Sequence, residues 1–403
     1  MAKRELPAAY VLSCRGGAQG ELGLVRSLGR KGVRVVLVGE HASISSSSRY
    51  CSEAHVFPEL FDDADAGVQY LVTLAGREAV RPVLFPTADP DLLFVSRMRR
   101  KLEAYFHLFV STEEIVENLI DKGRFFEFAQ RFDLPTPKTS TLDAKSDMSE
   151  IAAAYTFPVI LKPLIPQNWG NTRIKEIVNN KKAVLVDSTQ ELIELHKSIS
   201  EIDDRLALQE YVPGRDDRLF SLHAYIDRSG TVIGSFTGQK IRTCPAYAGI
   251  GCYVRGNDSP ELRKLGLDML KRMDYRGLAL AQFKQHSETG EFLLLEINPR
   301  LSSWNSLATA SNVDLPYAAY CDCAGIAMPP IGRQDESRTY LFFEHDLSAM
   351  LEYVRNGDLS VIAWLRSLFK ANTFQYFAGE DLGPFWFALR RWLGRQFRRL
   401  VGR

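Results

Sequence analysis

Apolar residues fall along this chain at two periods, and the switches between them mark its elements. Ala9-Tyr-Val-Leu-Ser13 is a short apolar run that predicts a buried strand. Leu22 to Arg30 repeats its apolar positions at helical spacing, and Val33 to Val38 is again apolar and β-branched. With the glycine-containing stretch Arg15 to Gly20 between the first two, these segments predict a βαβ unit in a parallel sheet. Pro82-Val-Leu-Phe-Pro86 predicts another buried strand. Thr87-Ala-Asp89 then sits at its carboxyl end, where open α/β sheets bind ligands. Helical spacing follows over Asp91 to Lys101 and over Thr112 to Leu119. A third amphipathic helix begins at Asp121-Lys122 and stops before Leu134-Pro-Thr-Pro137, because proline cannot continue a helix.

Beyond this point the pattern favours antiparallel pairs. Phe157-Pro-Val-Ile-Leu-Lys162 predicts a strand that ends in a lysine. Leu206-Ala-Leu-Gln209-Glu210-Tyr211-Val212 predicts one that runs into the turn Pro213-Gly214. Leu219 to Asp227 and Thr231 to Thr237 read as a hairpin around Arg228-Ser-Gly230. A second hairpin turns at Glu288-Thr-Gly290-Glu and joins Gln282-Phe-Lys to Leu293-Leu-Leu-Glu296-Ile-Asn298-Pro299-Arg300. The fold class expected is α/β at the N-terminus and α+β after it.

The 403 residues suffice for two or three domains with good cores. A net charge of +1 gives no general attraction to nucleic acid. No apolar run reaches the ~18 residues of a spanning helix, and the start lacks a signal-peptide core. The six scattered cysteines form no CxxC pair, which suits buried thiols in a reducing cytoplasm. The glycines at 16, 17, 20 and 23 do not fit GxGxxG. A dinucleotide oxidoreductase is therefore the weaker reading, and a strand-to-helix turn or a substrate contact the stronger one.

The hairpin at 282–300 carries the chemistry. Glu296 and Asn298 are two apart, so they share a strand face, and Gln282 comes from the neighbouring strand. Arg300 continues the step of two if the strand geometry persists through Pro299. Three oxygen-bearing side chains suit Mg²⁺, with Mn²⁺ as a substitute. The alternative is a half-buried hairpin whose Glu and Asn only cap the strand.

The order Lys122, Lys162, Gln209 to Asp217, Gln282, Glu296, Asn298, Arg300 resembles the ATP-grasp superfamily over roughly residues 115–330. The metal segment is similar to that of carbamoyl phosphate synthetase. The chain as a whole looks nearer to short bacterial carboxylate–amine ligases, the D-aspartate ligase group among them. The resemblance implies an N-terminal parallel-sheet pre-ATP-grasp domain over 1–114. It implies a two-lobed ATP-grasp fold with antiparallel sheets over 115–330, with a lid lobe at about 155–212. Residues 331–403 would then be a C-terminal helical extension.

It also implies roles. Lys122 and Lys162 would hold ATP phosphates, and Gln209, Glu210, Tyr211 and Val212 the adenine hinge. Asp216 or Asp217 would take the ribose, with Asp216 favoured by spacing. Gln282, Glu296 and Asn298 would hold the metal, and Arg300 would bridge the γ-phosphate and an acyl phosphate. The implied activity is ATP-dependent ligation of a small-molecule carboxylate to an amine. Rivals are a thiol or hydroxyl acceptor, and an ATP-binding protein without turnover acting as a scaffold at a membrane.

Two segments depart from better-known members. The lid loop Leu164 to Arg173 has one glycine, so Arg173 or Lys175 is expected to replace missing amide contacts. Lys240 and Arg242, on alternate strand positions before a glycine loop, suit a carboxylate or phosphate, and Arg242 is counted among the catalytic residues. From Gly383 to Arg403, Trp386, Leu389, Leu393, Phe397 and Leu400 form one apolar face flanked by arginines. Such a helix suits peripheral contact with the inner face of a membrane, or else packing on the body of the protein. A cytoplasmic location and a homodimer complete the expectations.

Overall fold

The computed structural model describes residues 6–14, 20–165, 168–179, 181, 183–247 and 249–400, the last helix with side chains to Arg395. Gly16 and Gly17, and the side chains of Phe397 and Leu400, therefore lie outside the described residues.

Strands Ala9–Ser13, Val35–Gly39, Cys51–Val56 and Val83–Phe85 form a parallel sheet in the order third, second, first, fourth. The first two strands are buried along their whole length, as a parallel sheet covered on both faces requires. Their side chains alternate between two cores. Ala9, Val11, Val35 and Leu37 meet Leu24, Val25 and Leu28 of helix Glu21–Arg30. Tyr10, Leu12, Val36 and Val38 meet Leu71 and Leu74 of helix Ala64–Ala75 on the other face.

The first of these cores continues without a break into Tyr225, Phe236, Cys252 and Tyr340 of the largest sheet. The N-terminal unit is thus fused to the body by packing. Two glycines of the supposed nucleotide loop explain the fusion. A Cβ at Gly20 would lie 2.4 Å from the Ser302 carbonyl oxygen, and one at Gly23 would lie 1.9 Å from Asn305 Oδ1. Asn305 donates from Nδ2 to the Gly20 carbonyl at 2.8 Å. These two glycines let a helix approach the segment after Arg300.

Strands Thr139–Leu142, Leu206–Glu210, Val159–Pro163 and Val184–Val186 form a second, antiparallel sheet. Helices Met148–Ala153 and Thr189–Ser200 accompany it, and the lobe has a separate apolar cluster around Leu161, Leu192 and Leu208. The third sheet has seven strands, in the order Phe292–Asn298, Gly277–Gln285, Leu219–Ile226, Val232–Cys244, Ile250–Gly256, Thr339–Leu341, Thr373–Phe374. All its pairs are antiparallel except the last.

The C-terminal segment corrects one expectation. It is not a purely helical extension, because residues 339–341 and 373–374 lengthen the large sheet. It also returns to the N-terminal unit. Arg26 donates from Nε to Asp381 Oδ2 at 2.9 Å and from Nη2 to the Tyr376 carbonyl at 2.7 Å. Asp381 further accepts from Ser48 Oγ at 2.7 Å and from Arg49 N at 2.9 Å. Both members of the pair are buried.

Helix Gly383–Leu400 follows immediately. The single apolar face expected for it is split. Phe385, Leu389 and Trp392 turn onto an apolar crevice of about 350 Å³, whereas Trp386 and Leu393 are about half exposed. Among the described residues, no helix is long and apolar enough to cross a membrane.

Removing one partner of a buried ion pair strands the other, at a typical cost of about 3 kcal/mol. Asp381→Ala is therefore expected to lower the unfolding free energy from urea titration by an amount of that order, seen as a lower midpoint. An unchanged midpoint would show that the C-terminal segment is not clamped by Arg26.

Candidate functional site

A cavity of about 760 Å³ lies where the three sheets meet. Its lining includes Asp89, Lys122, Lys240, Gln282, Glu296 and Arg300. Each arrives for a local reason. Gln282 and Glu296 are cross-strand partners in register, and Asn298, paired with Leu280, lies on the same face two residues on. The predicted trio therefore meets. Glu296 Oε1 accepts from Asn298 Nδ2 at 3.0 Å and from Gln282 Nε2. Strand geometry does not persist through Pro299. Arg300 N donates to the Asn298 carbonyl at 2.8 Å, a three-residue turn. Arg300 nonetheless returns its guanidinium to Asn298 Oδ1, 3.2 Å from Nη2.

Arg300 also makes a contact not anticipated for it. Its Nε and Nη2 donate to the two carboxylate oxygens of Asp89, at 2.5 and 3.2 Å. Burial lowers the Arg300 pKa, but Asp89 and then Glu296 more than offset this, so the guanidinium stays charged. Asp89 starts helix Asp89–Arg97 from the carboxyl end of strand Val83–Phe85. Asp91 holds that corner by accepting from the backbone N–H groups of Thr87 at 3.0 Å and Ala88 at 2.6 Å. Burial pushes the Asp91 carboxyl up to about 7 despite these bonds. The sequence placed Asp89 at a sheet's ligand-binding end; its partner Arg300, 211 positions away, carried no sequence signal.

Lys122 is the first residue of helix Lys122–Arg131, whose N-cap Asp121 accepts from Gly123 N at 2.8 Å and Arg124 N at 3.0 Å. Its side chain is exposed toward the cavity. Lys162 ends strand Val159–Pro163 and donates to Gln209 Oε1 at 2.9 Å, with its Nζ 5.1 Å from the centre of the Phe126 ring. Burial lowers the Lys162 pKa to about 8, Lys122 adds to the fall, and Glu296 opposes it. Those two charges tie Lys162 electrostatically to the cavity. Gln209 is buried and passes its Nε2 to Thr139 Oγ1 at 2.9 Å. Glu210 is exposed and accepts from Lys138 N at 3.3 Å, Tyr211 lies 5.6 Å from Lys284 Nζ, and Val212 is buried.

The basic pair on strand Val232–Cys244 parts company. Lys240 reaches Gln282 Oε1 inside the cavity. Arg242 is instead held bidentately by Asp346, at 2.7 and 2.9 Å, and lies 4.1 Å from the Tyr253 ring centre. The register with Ile250–Gly256 shifts between Lys240 and Arg242, and a bulge re-aims the second side chain. Arg242 is thus a structural residue rather than a catalytic one. Burial lowers the Lys240 pKa, and the Glu296 and Asp216 carboxylates partly restore it.

Asp216 is also committed elsewhere. Its buried Oδ2 accepts from Thr243 Oγ1 at 2.6 Å, from Tyr247 N at 2.9 Å and from the Tyr353 hydroxyl. Asp217, by contrast, is exposed. Arg173 points to Glu201 at 3.5 Å, and neither it nor Lys175 lines the cavity.

The donors fit a hard cation. Among the described residues no group of three His, Cys, Asp or Glu could hold a metal. One carboxylate and two amides remain, all oxygen donors once the amides turn their oxygens inward. So lightly charged a set needs phosphate oxygens to complete the shell, as Mg²⁺ commonly takes them.

No family model matches the chain. It is 26% identical over 240 residues to the D-aspartate ligase of Enterococcus faecium (strain Aus0004), covering 58% of this chain and 56% of the relative. It is 23% identical over 334 residues to the N-terminal section of the carbamoyl phosphate synthase large chain of Methanopyrus kandleri, covering 79% and 56%. The chain thus spans about half the length of these curated relatives. Its fold is similar to N5-carboxyaminoimidazole ribonucleotide synthetase in an ADP complex, with a TM-score of 0.61 and 15% identity over 82% of this chain and 81% of the other. It is also similar to the L-amino acid ligase of Bacillus licheniformis, with a TM-score of 0.58 and 13% identity over 83% and 79%. In fold and in residue order the chain is thus similar to these ligases and synthases.

Proposed function

We propose that this protein is an ATP-dependent carboxylate–amine ligase. The observation that carries the reading is the cavity itself. Glu296 and its two amide neighbours share it with Asp89 and the cations Lys122, Lys240 and Arg300, and Lys162 feels Lys122 and Glu296 from beside it. Transfer of a γ-phosphoryl group to a carboxylate brings two anions together, and positioned cations offset that repulsion. The names of both curated relatives denote ligase or synthase chemistry, which supports the same reading.

In this reading Lys122 and Lys162 grip the ATP phosphates, and the segment Gln209–Val212 takes the adenine through its backbone. Asp217 is the carboxylate left for the ribose. Gln282, Glu296 and Asn298 would hold Mg²⁺, or Mn²⁺ in its place, which would offset negative charge on the ATP phosphates. A substrate carboxylate oxygen attacks the γ-phosphorus as the bond to ADP breaks. Arg300 swings from Asp89 to the forming acyl phosphate, its planar fork suiting two oxygens. The amine then attacks the acyl carbon, phosphate leaves, and the amide forms. The enzyme works in the cytoplasm at the inner face of the membrane, in peripheral contact through its C-terminal helix. ADP release over a panel of amino acids, peptide acids and amines tests the activity and identifies both substrates. No stimulation by any pair would leave an ATP-binding protein without ligase turnover.

Glu296→Gln should leave the fold intact and lower turnover at least about a hundredfold, the scale of one preorganised electrostatic contact. Near-normal turnover in the folded variant would reject the metal assignment.

Lys162→Ala should weaken binding of a non-hydrolysable ATP analogue more than Lys122→Ala, because Lys162 is fixed on a strand and Lys122 lies exposed at a helix start. The sign of the pH effect follows from Lys162. Its ammonium is present below about pH 8 and lost above it, so analogue affinity should fall as pH rises past 8. Lys162→Met should flatten that dependence in titration calorimetry. A parent protein whose affinity is level from pH 7 to 9 would remove Lys162 from the phosphate grip.

A further inference from the structure

We infer that the C-terminal region binds an anionic lipid bilayer through two amphipathic helices, not one. The inference rests on the peripheral location proposed above and is independent of the ligase chemistry. It identifies a surface that the tail alone does not supply. Helix Val361–Leu368 is capped by Ser360 and buries Trp364, whose Nε1 donates to Asp346 at 2.7 Å. Its opposite face is apolar and bare: Ile362 is 63% exposed, and Phe369, just past its end, 91%. Val361 and Leu365 extend the same face at helical spacing. Among the described side chains of helix Gly383–Leu400, the large apolar ones left exposed are Trp386 and Leu393.

Aromatic contacts tie the two helices to one crevice beneath their bare faces. Half-exposed Phe343 lies 6.5 Å from Trp364 and also lines the crevice beneath the last helix. On the other side of that crevice, Phe377 lies 5.7 Å from Phe385, which lies 5.2 Å from Trp386. Exposed apolar side chains on this scale mark an interaction surface.

Charge selects the occupant. Residues 359–379 and 382–403 together hold eight Arg and Lys and no Asp or Glu. Arg366, Lys370, Arg390 and Arg391 are exposed beside the apolar side chains, and Arg395 pairs with Glu344 at 2.7 Å. A second copy docking face to face would bring like charges together. An anionic headgroup layer complements them, while its acyl boundary receives Ile362, Phe369 and Trp386.

The test uses the full chain with vesicles of phosphatidylcholine and phosphatidylglycerol in equal parts, against phosphatidylcholine alone. The protein should sediment with the anionic vesicles only, and less so as salt rises. Ile362→Ser/Phe369→Ser, remote from the cavity, should weaken partitioning at least about tenfold while melting temperature and ATP-analogue binding stay unchanged. Arg390→Gln/Arg391→Gln should reduce the salt-sensitive part. Partitioning unaffected by the Ile362/Phe369 pair would overturn the two-helix surface. A parent dimer that this pair converts to monomer, without vesicle binding, would assign the face to a second copy. Loss of analogue binding in the parent would fail the ATP reading without touching this one.

Discussion

Four cations gather about the carboxylates of Glu296 and Asp89, and holding them so close together is the burden the fold must carry. Lys122 comes from a helix, Lys162 and Lys240 from two strands, and Arg300 from the turn after a third strand. Each is held by something other than its neighbours: a helix start, the Gln209 amide, the Gln282 amide, the Asp89 carboxylate. Neutral amides hold two of the four. An amide orients an ammonium without cancelling its charge, so the field in the cavity survives for phosphate. Asp89 is the exception, and its grip on Arg300 lies between the N-terminal unit and the metal hairpin. The N-terminal unit also packs on the segment just after that hairpin, through Leu301, Trp304 and Leu307.

The path from sequence to site was open where chemistry lies along one strand. Glu296 and Asn298 share a face because a strand alternates, and the hairpin turn delivers Gln282 opposite Glu296. It closed where a side chain's direction depends on pairing. Lys240 and Arg242 look equivalent by spacing, yet a bulge sends one to the cavity and the other to Asp346. Asp216 and Asp217 are adjacent and alike, and only the contacts of Thr243, Tyr247 and Tyr353 separate them. Gly20 and Gly23 suggested a turn for a ligand. Their use is to admit Ser302 and Asn305, partners almost three hundred residues away.

The C-terminal segment shows the same limit on a larger scale. Amphipathic spacing found its last helix but could not say which stripe faces the body. Tertiary contact decided that, with Phe385 and Trp392 turned inward and Trp386 left outside. Nor does local pattern reveal that a two-residue strand, Thr373–Phe374, closes the edge of a seven-stranded sheet.

The small sheet of Thr139–Leu142, Leu206–Glu210, Val159–Pro163 and Val184–Val186 gathers most of its apolar side chains in one cluster, and only Ala207 of its strands joins the core under the large sheet. A lobe packed in this way is a cooperative unit in its own right, a foldon whose amides exchange with solvent together. Ala207 and Leu164 are its apolar ties to the core beneath the large sheet. Bound nucleotide, touching Lys162 on one side and Glu296 on the other, would then act as a crosslink. Slower amide exchange throughout the small lobe, and not only at the contacting residues, would be its signature.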